Sequence, residues 1–253
     1  MNQKNIFLLE EVVRKNFSAK YKDSILGIVW SVLNPLLMVI VLTIVFSTLL
    51  GRGIENYPVY LFSGRCILTF FTAAIGGSMS IFKSNQNILK KTAAPKYIFV
   101  LGNIISEFLN FIISLILLIA IMIVTNAPIH FLTIPFSIIP LTILIIMITG
   151  FNLIMAVVSV YYTDIKHLWG VISQILFYTS AIFYRMDDIP EPYHQYLILN
   201  PIYWIIEQFR DFMVNGTFPN LFNIVNSLIL SLIILVIGII IFKKFENGII
   251  MRI

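Results

Sequence analysis

Charge is what this chain has least of. Of its 253 residues, 11% are Asp, Glu, Lys or Arg, against 59% hydrophobic. A water-soluble domain needs roughly a quarter of its residues charged to cover its surface. The bulk of this chain is therefore solvated by lipid, in keeping with a mean hydropathy of +0.94. Cysteine is almost absent. The single Cys66 lies in an apolar run, which excludes an intramolecular disulfide framework and a cysteine-built metal site. The three histidines, His130, His167 and His194, are far apart and share no ligand spacing, so no metal is expected. No G-x-x-x-x-G-K-[ST] phosphate loop occurs, so the chain does not hold ATP in that way. No Ser/His/Asp or Cys/His set can be assembled on one side of a membrane. Asp187, Asp188 and Glu191, beside two prolines in a loop, read as solvated carboxylates rather than an acid–base pair. A cleavable signal peptide is not expected, because residues 1–22 are charged throughout and lack a compact apolar core. These absences leave a conduit or a scaffold, not an enzyme.

What is present is apolar length. Runs of about 20 apolar residues cross a hydrocarbon core as helices. Residues 28–50, 58–82, 97–124, 134–161, 168–184 and 221–242 qualify. A seventh stretch, 193–214, is broken by Asn200-Pro201 and carries Glu207, Arg210 and Asp211, each costly at bilayer depth. Basic residues decide the count. With six spans and both termini cytoplasmic, thirteen of the seventeen Lys and Arg residues fall on the inner side. A seventh span would throw Lys243 and Lys244 outside, against the positive-inside pattern. The net charge of +5 therefore marks cytoplasmic loops facing anionic headgroups, not a nucleic-acid surface. The sequence predicts an all-α membrane protein with six transmembrane helices.

Three segments outside the spans are distinctive. In residues 1–27, Ile6, Leu9, Val13 and Phe17 recur at helical spacing, while Glu11, Arg14, Lys15, Ser18 and Lys22 fall elsewhere on the wheel. That predicts an amphipathic helix in the inner interface; a disordered basic tail is the alternative. Residues 83–96 carry Lys83, Lys90, Lys91 and Lys96 and form a cytoplasmic loop, either a topology signal or a docking helix. Residues 185–220 open as an external loop. Ile202, Ile205, Ile206, Phe209, Phe212 and Met213 then form an apolar stripe, with Glu207, Gln208, Arg210 and Asp211 on the other face. Two short helices hinged at Asn200-Pro201 would dip into the outer leaflet and return, where protein or water must cover the backbone. A surface amphipathic helix without a gating role fits the same stripe.

Polar residues also run inside the spans. Asn103, Ser106, Glu107, Asn110 and Ser114 share one helical face of the third span. Thr142, Thr149, Asn152, Ser159 and Thr163 make a looser stripe in the fourth, and Gln174 and Tyr178 lie four apart in the fifth. Such faces either glue helices together or line a conduit. Arg65 and Glu107 are the ionisable residues within spans. By helical rise, Arg65 lies roughly 10 Å below the outer end of its helix and Glu107 about 14 Å above the inner end of the next. A core about 30 Å thick leaves about 6 Å between them, which predicts a buried Arg65–Glu107 contact. Alternatively, Arg65 faces an aqueous passage and meets an anionic substrate.

The stretch "NFSAKYKDSILGIVWSVLNPLLMVIVLTIVFS" resembles the N-terminal signature of type-2 ABC transporter permeases that export polysaccharides and teichoic acids. In that family a basic amphipathic helix runs into the first span; here Phe17, Lys20, Tyr21, Ser24, Leu26, Gly27, Trp30, Leu33 and Pro35 occupy its places. "NYPVYLFSG" is similar to the start of the family's second span. "NILKKTAAPKYIF" is similar to its cytoplasmic loop, at Asn87, Ile88, Leu89, Lys90, Lys91 and Pro95. "LILNPIYWIIEQFRDFMVNG" is similar to its segment before the last span, at Asn200, Pro201, Ile206, Glu207 and Arg210. Two departures stand out: Arg65-Cys66 where the family usually has apolar residues, and Ala181 where proline is common.

The resemblance covers almost the whole chain and implies one transmembrane domain over residues 1–253, in a bacterial inner (cytoplasmic) membrane. It implies a homodimer, with two copies of a separate cytoplasmic ATPase that binds ATP and Mg, and no cofactor on this chain. The cargo would be a lipid-linked glycan: O-antigen, capsular polysaccharide or teichoic acid. The 83–96 loop would be a coupling helix seated in the ATPase, and residues 185–220 a re-entrant gate on the outer side. Export of a small amphiphile is the alternative within transport; a scaffold or a glycan-modifying enzyme is the alternative outside it.

Overall fold

The computed structural model describes residues 3–19, 27, 29–49, 53–92 and 94–253. Among them there is no strand. The elements are α1 (Gln3–Ala19), α2 (Val29–Thr43), α3 (Tyr57–Ser78), α4 (Ile81–Ser84), α5 (Gln86–Lys91), α6 (Tyr97–Val124), α7 (Ile138–Tyr161), α8 (Ile165–Thr179), α9 (His194–Ile198), α10 (Pro201–Arg210), α11 (Leu221–Phe245) and α12 (Ile249–Arg252). Four helical runs are long and apolar enough to cross a membrane: α3, α6, Ile134–Tyr161 and Leu221–Arg252. The chain is thus a multi-pass membrane protein.

Several boundaries differ from the sequence expectation, each for a local reason. α1 is helical over Gln3–Ala19, the described part of the predicted 1–27 element; Lys20, Tyr21, Ser24 and Leu26 lie outside the described residues. α2 holds Pro35 and loosens into a π-helical stretch, Ile44–Leu49, so the described part of the first apolar run is helical but not one α-helix. α3 ends at Ser78, not at residue 82, where Gly76 and Gly77 weaken the helix, and the chain restarts as α4. α8 begins at Ile165 and ends at Thr179, so the predicted 168–184 helix is displaced and shortened. Ala181 stops it, with a left-handed φ of 49° that an α-helix does not accommodate. The 15 residues of α8 span about 22 Å at the helical rise.

α3 is the centre of the bundle, with 15 of its 22 residues buried. It packs on α6, α7, α10 and α2. The α3–α6 contact is polar and close: Asn103 Nδ2 donates to the Ala74 carbonyl at 2.7 Å, over Gly77, where a Cβ would meet Asn103 Oδ1 at 2.3 Å. α7 and α11 approach backbone to backbone. A Cβ on Gly238 would lie 2.5 Å from the Gly150 carbonyl oxygen, and one on Gly150 would lie 2.7 Å from the backbone of Ile234. Small residues permit such approach where no hydrophobic force drives helices together. The outward surfaces of α6 and α11 stay apolar, with Ile112, Ile116, Ile119 and Ile123 on one and Ile229, Val236 and Ile240 on the other. These suit acyl chains.

α1 lies along α6. Val12, 1% exposed, fits against Gly102, and Ser106 Oγ donates to the Val13 carbonyl at 3.3 Å. At the other end of the chain, α12 packs on α5 and α7, with Ile249 buried and the Arg252 guanidinium 4.3 Å from the centre of the Tyr161 ring.

Candidate functional site

Arg210 closes the last turn of α10, and it is 1% exposed. A guanidinium removed from water requires acceptors around it. Nη1 donates to the Ala181 carbonyl at 3.0 Å and to Glu207 Oε1 at 2.6 Å. Nη2 donates to the Tyr60 carbonyl at 3.1 Å and the Ile182 carbonyl at 3.4 Å. The guanidinium also sits 3.6 Å from the centre of the Tyr60 ring, a cation–π contact. Gly64 makes room for it, since a Cβ there would lie 2.7 Å from Nη2. One side chain thus ties α10 to α3 and to the turn that ends α8.

That turn, residues 180–184, collects further bonds. Tyr57 Oη donates to the Phe183 carbonyl at 3.1 Å and Tyr60 Oη to the Tyr184 carbonyl at 2.7 Å. Asn200 Nδ2 donates to Ser180 Oγ at 2.9 Å and Thr179 Oγ1 at 3.1 Å. Asn200 Oδ1 accepts from the Ile202 N–H at 3.0 Å, so the residue also caps α10, with Pro201 in the first helical position. Asn200, Pro201, Ile206, Glu207 and Arg210 are therefore brought together, with Ile206 buried beside Gly64.

The sequence placed Gln208 and Arg210 on a polar outer face, and here the structure differs. Both are buried, because each finds fixed acceptors: Gln208 Nε2 donates to the Asn223 carbonyl at 3.1 Å and Ser227 Oγ at 3.0 Å on α11. Tyr57, Tyr60 and Gln208 were missed as site residues, since nothing in their spacing distinguishes them from ordinary interfacial polar residues. Asp211 begins a π-helical segment, Asp211–Asn215, at the end of α10. Burial pushes its carboxyl up, against the Asn215 amide that donates to it at 3.0 Å.

At the opposite end of the bundle stands the α4–α5 pair. In α5, Leu89 is buried, Ile88 and Pro95 are partly buried, and Asn87, Lys90 and Lys91 are exposed. Asn85, between the two helices, is buried; its Nδ2 donates to the Ile81 carbonyl at 2.8 Å. Lys15 of α1 donates to Asn85 Oδ1 at 2.8 Å and to the Ser84 carbonyl at 3.0 Å. Phe17 faces α6 in a groove with Leu9, Val13, Ile105 and Leu109, Gly27 has a left-handed φ of 48°, and Trp30 is exposed.

The polar residues within spans divide. Ser114, Thr142, Thr149 and Ser159 return hydrogen bonds to carbonyls of their own helices, and Ser106 does so as well as reaching the Val13 carbonyl of α1. Asn103 is glue. Glu107 and Asn110 border a cavity of about 270 Å³ with Trp30, Asn34, Thr69 and Phe70; Asn110 Nδ2 donates to Glu107 Oε2 at 3.2 Å. Gln174 and Tyr178 are exposed on α8. Asn152 is fully buried, and neither its Nδ2 nor its Oδ1 has a hydrogen-bond partner. The predicted Arg65–Glu107 contact does not form: Arg65 Nη1 is buried without a partner. Depth along the spans was matched, but depth does not fix the direction in which a helix turns its side chain. Among the described residues, no group of three His, Cys, Asp or Glu side chains could hold a metal.

The arrangement stitches helices together at both ends of the bundle. The chain is 29% identical to the O-antigen export system permease protein RfbA of Klebsiella pneumoniae over 245 residues, covering 94% of this chain and 92% of that one. It is 22% identical to RfbA of Myxococcus xanthus, covering 84% and 82%. It is also 22% identical to the polysialic acid transport protein KpsM of Escherichia coli, covering 95% and 94%. Residues 8–214 match the family described as ABC-2 type transporter, a stretch that takes in most of α1, the α4–α5 pair and the Arg210 cluster. The chain belongs to the ABC-2 type transporter family.

Proposed function

We propose that this chain is the membrane permease of an ATP-driven exporter that carries a lipid-linked polysaccharide across the bacterial inner membrane. The observation that carries the reading is the match along nearly the whole chain to permeases and transport proteins for O-antigen and polysialic acid. In this reading the chain has six spans, the four long runs together with α2 and α8, and both termini are cytoplasmic. α1 lies in the inner interface. α5, with Asn87, Ile88, Leu89, Lys90, Lys91 and Pro95 on or beside it, docks on a separate ATPase, which binds ATP and Mg. α9 and α10 enter and leave the outer leaflet as a gate, held by Asn200 and Arg210. Two copies enclose the path.

The exposure of α2 and α8 supports the dimer. Both present apolar and polar side chains that this protomer leaves uncovered, including Leu37, Val41, Val171 and Tyr178. Deletion of the gene tests the function. Surface glycan should disappear while lipid-linked polymer accumulates inside the cell, and unchanged surface glycan would refute it.

A further inference from the structure

The outer half of α3 carries a cation, Arg65, that has no ion-pair partner among the described residues. α3 is buried on almost every side, and residues it leaves open include Arg65, Thr69, Ala73 and Gly76, at i, i+4, i+8 and i+11 on one stripe. A helix surface that met acyl chains would be apolar, like those of α6 and α11. This one is an arginine, a threonine and two small residues. Thr69 and Ala73 open into the cavity of about 270 Å³ that Trp30 and Asn34 of α2 and Glu107 and Asn110 of α6 also line. On the other side, Trp169 of α8 donates from Nε1 to the Thr72 carbonyl at 3.4 Å. The stripe thus lies between α2 on one side and α8 on the other. Phe46, in the π-helical stretch after α2, stacks on Phe183 of the turn after α8 at 5.2 Å.

Arg65 lies about 12 Å along α3 from Tyr57 at the helical rise. Its Nη1 is buried with no hydrogen bond, and among the described residues no carboxylate comes within ion-pair distance of it. Arg210, a second cation at this end, is occupied by three carbonyls and Glu207. A guanidinium in a low-dielectric span is costly unless an anion or water meets it, and its planar fork of donors fits carboxylate and phosphate oxygens. We propose that Arg65 contacts oxyanion groups on the glycan in transit, so that the exported polymer is one bearing carboxylate or phosphodiester groups. This rests on the exporter reading and narrows its substrate class.

Titration of the full chain, purified into nanodiscs of zwitterionic lipid, tests the assignment with three probes of equal length. They are an oligogalacturonate, a glycerol-phosphate oligomer and a neutral malto-oligosaccharide. Wild type should bind one of the two anionic probes at least about tenfold more tightly than the neutral one, as expected for a charge-assisted contact. Whichever anionic probe binds names the source of the oxyanion. Arg65→Gln should lose that preference and keep its affinity for the neutral probe, and Arg65→Lys should keep part of it. Thr69→Asp, which sets a carboxylate one turn away, should abolish the preference with Arg65 intact, and serves if Arg65→Gln fails to fold. Equal affinity for all probes, no binding of any, or a preference that survives these substitutions overturns the proposal. Such a result leaves the exporter reading standing as long as gene deletion still removes surface glycan.

Discussion

Lys15 and Asn85 are 70 residues apart in sequence and 2.8 Å apart in space. The bond joins the amphipathic α1 to the junction of α4 and α5, so a motion of α5 reaches α1 without crossing the bundle. Lys15 is exposed and Asn85 is 1% exposed, so the two partners contribute unequally. Lys15→Ala should cost under about 1 kcal/mol, whereas Asn85→Ala removes a buried amide that bonds in two directions and should cost about 1–3 kcal/mol. Thermal unfolding in detergent checks both, and the double variant should lose less than the sum.

Arg210 predicts a larger effect. Arg210→Gln removes the cation shared by Glu207 and the Tyr60, Ala181 and Ile182 carbonyls, and should destabilise by about 3–5 kcal/mol. Arg210→Lys keeps the charge but not the fork, and should recover only part of that. Limited proteolysis between residues 180 and 200 should speed up in both variants, which an unchanged cleavage rate would contradict.

Asn152 runs the other way. Its amide is fully buried with neither polar atom bonded, so Asn152→Leu, which keeps the branched shape and removes both polar atoms, should raise the unfolding temperature. Removing an unsatisfied buried amide is worth about 1–3 kcal/mol. A fall in stability would show that the amide has a partner in the assembled transporter.

Leu89 anchors α5. Leu89→Pro should break the six-residue helix and abolish export while leaving membrane insertion intact, as read by surface glycan and by membrane fractionation. Export at the wild-type level would reduce the lysine-rich loop to a topology signal.

How much of this was legible in the sequence follows from what a pattern encodes. α6 and the run Ile134–Tyr161 begin and end where the apolar lengths say, since length and hydropathy are properties of the chain alone. The end of α8 was not legible, because it depends on Ala181 adopting a left-handed backbone, which carries no compositional mark. Asn200 and Arg210 were picked out by their resemblance to a family segment. Their common target, the carbonyls and hydroxyls of residues 179–182, is a tertiary arrangement that spacing does not encode. The Arg65–Glu107 pairing failed for a related reason: two residues at matching depth share a contact only if both helices turn them inward.

Co-purification tests the central claim most directly. The chain, solubilised from its native membrane and reconstituted in proteoliposomes, should carry a bound ATPase in a stable complex that hydrolyses ATP and moves lipid-linked glycan across the bilayer. Leu89→Pro should uncouple the two activities. A chain that associates with no ATPase, or a complex that hydrolyses ATP without moving glycan, would contradict the account.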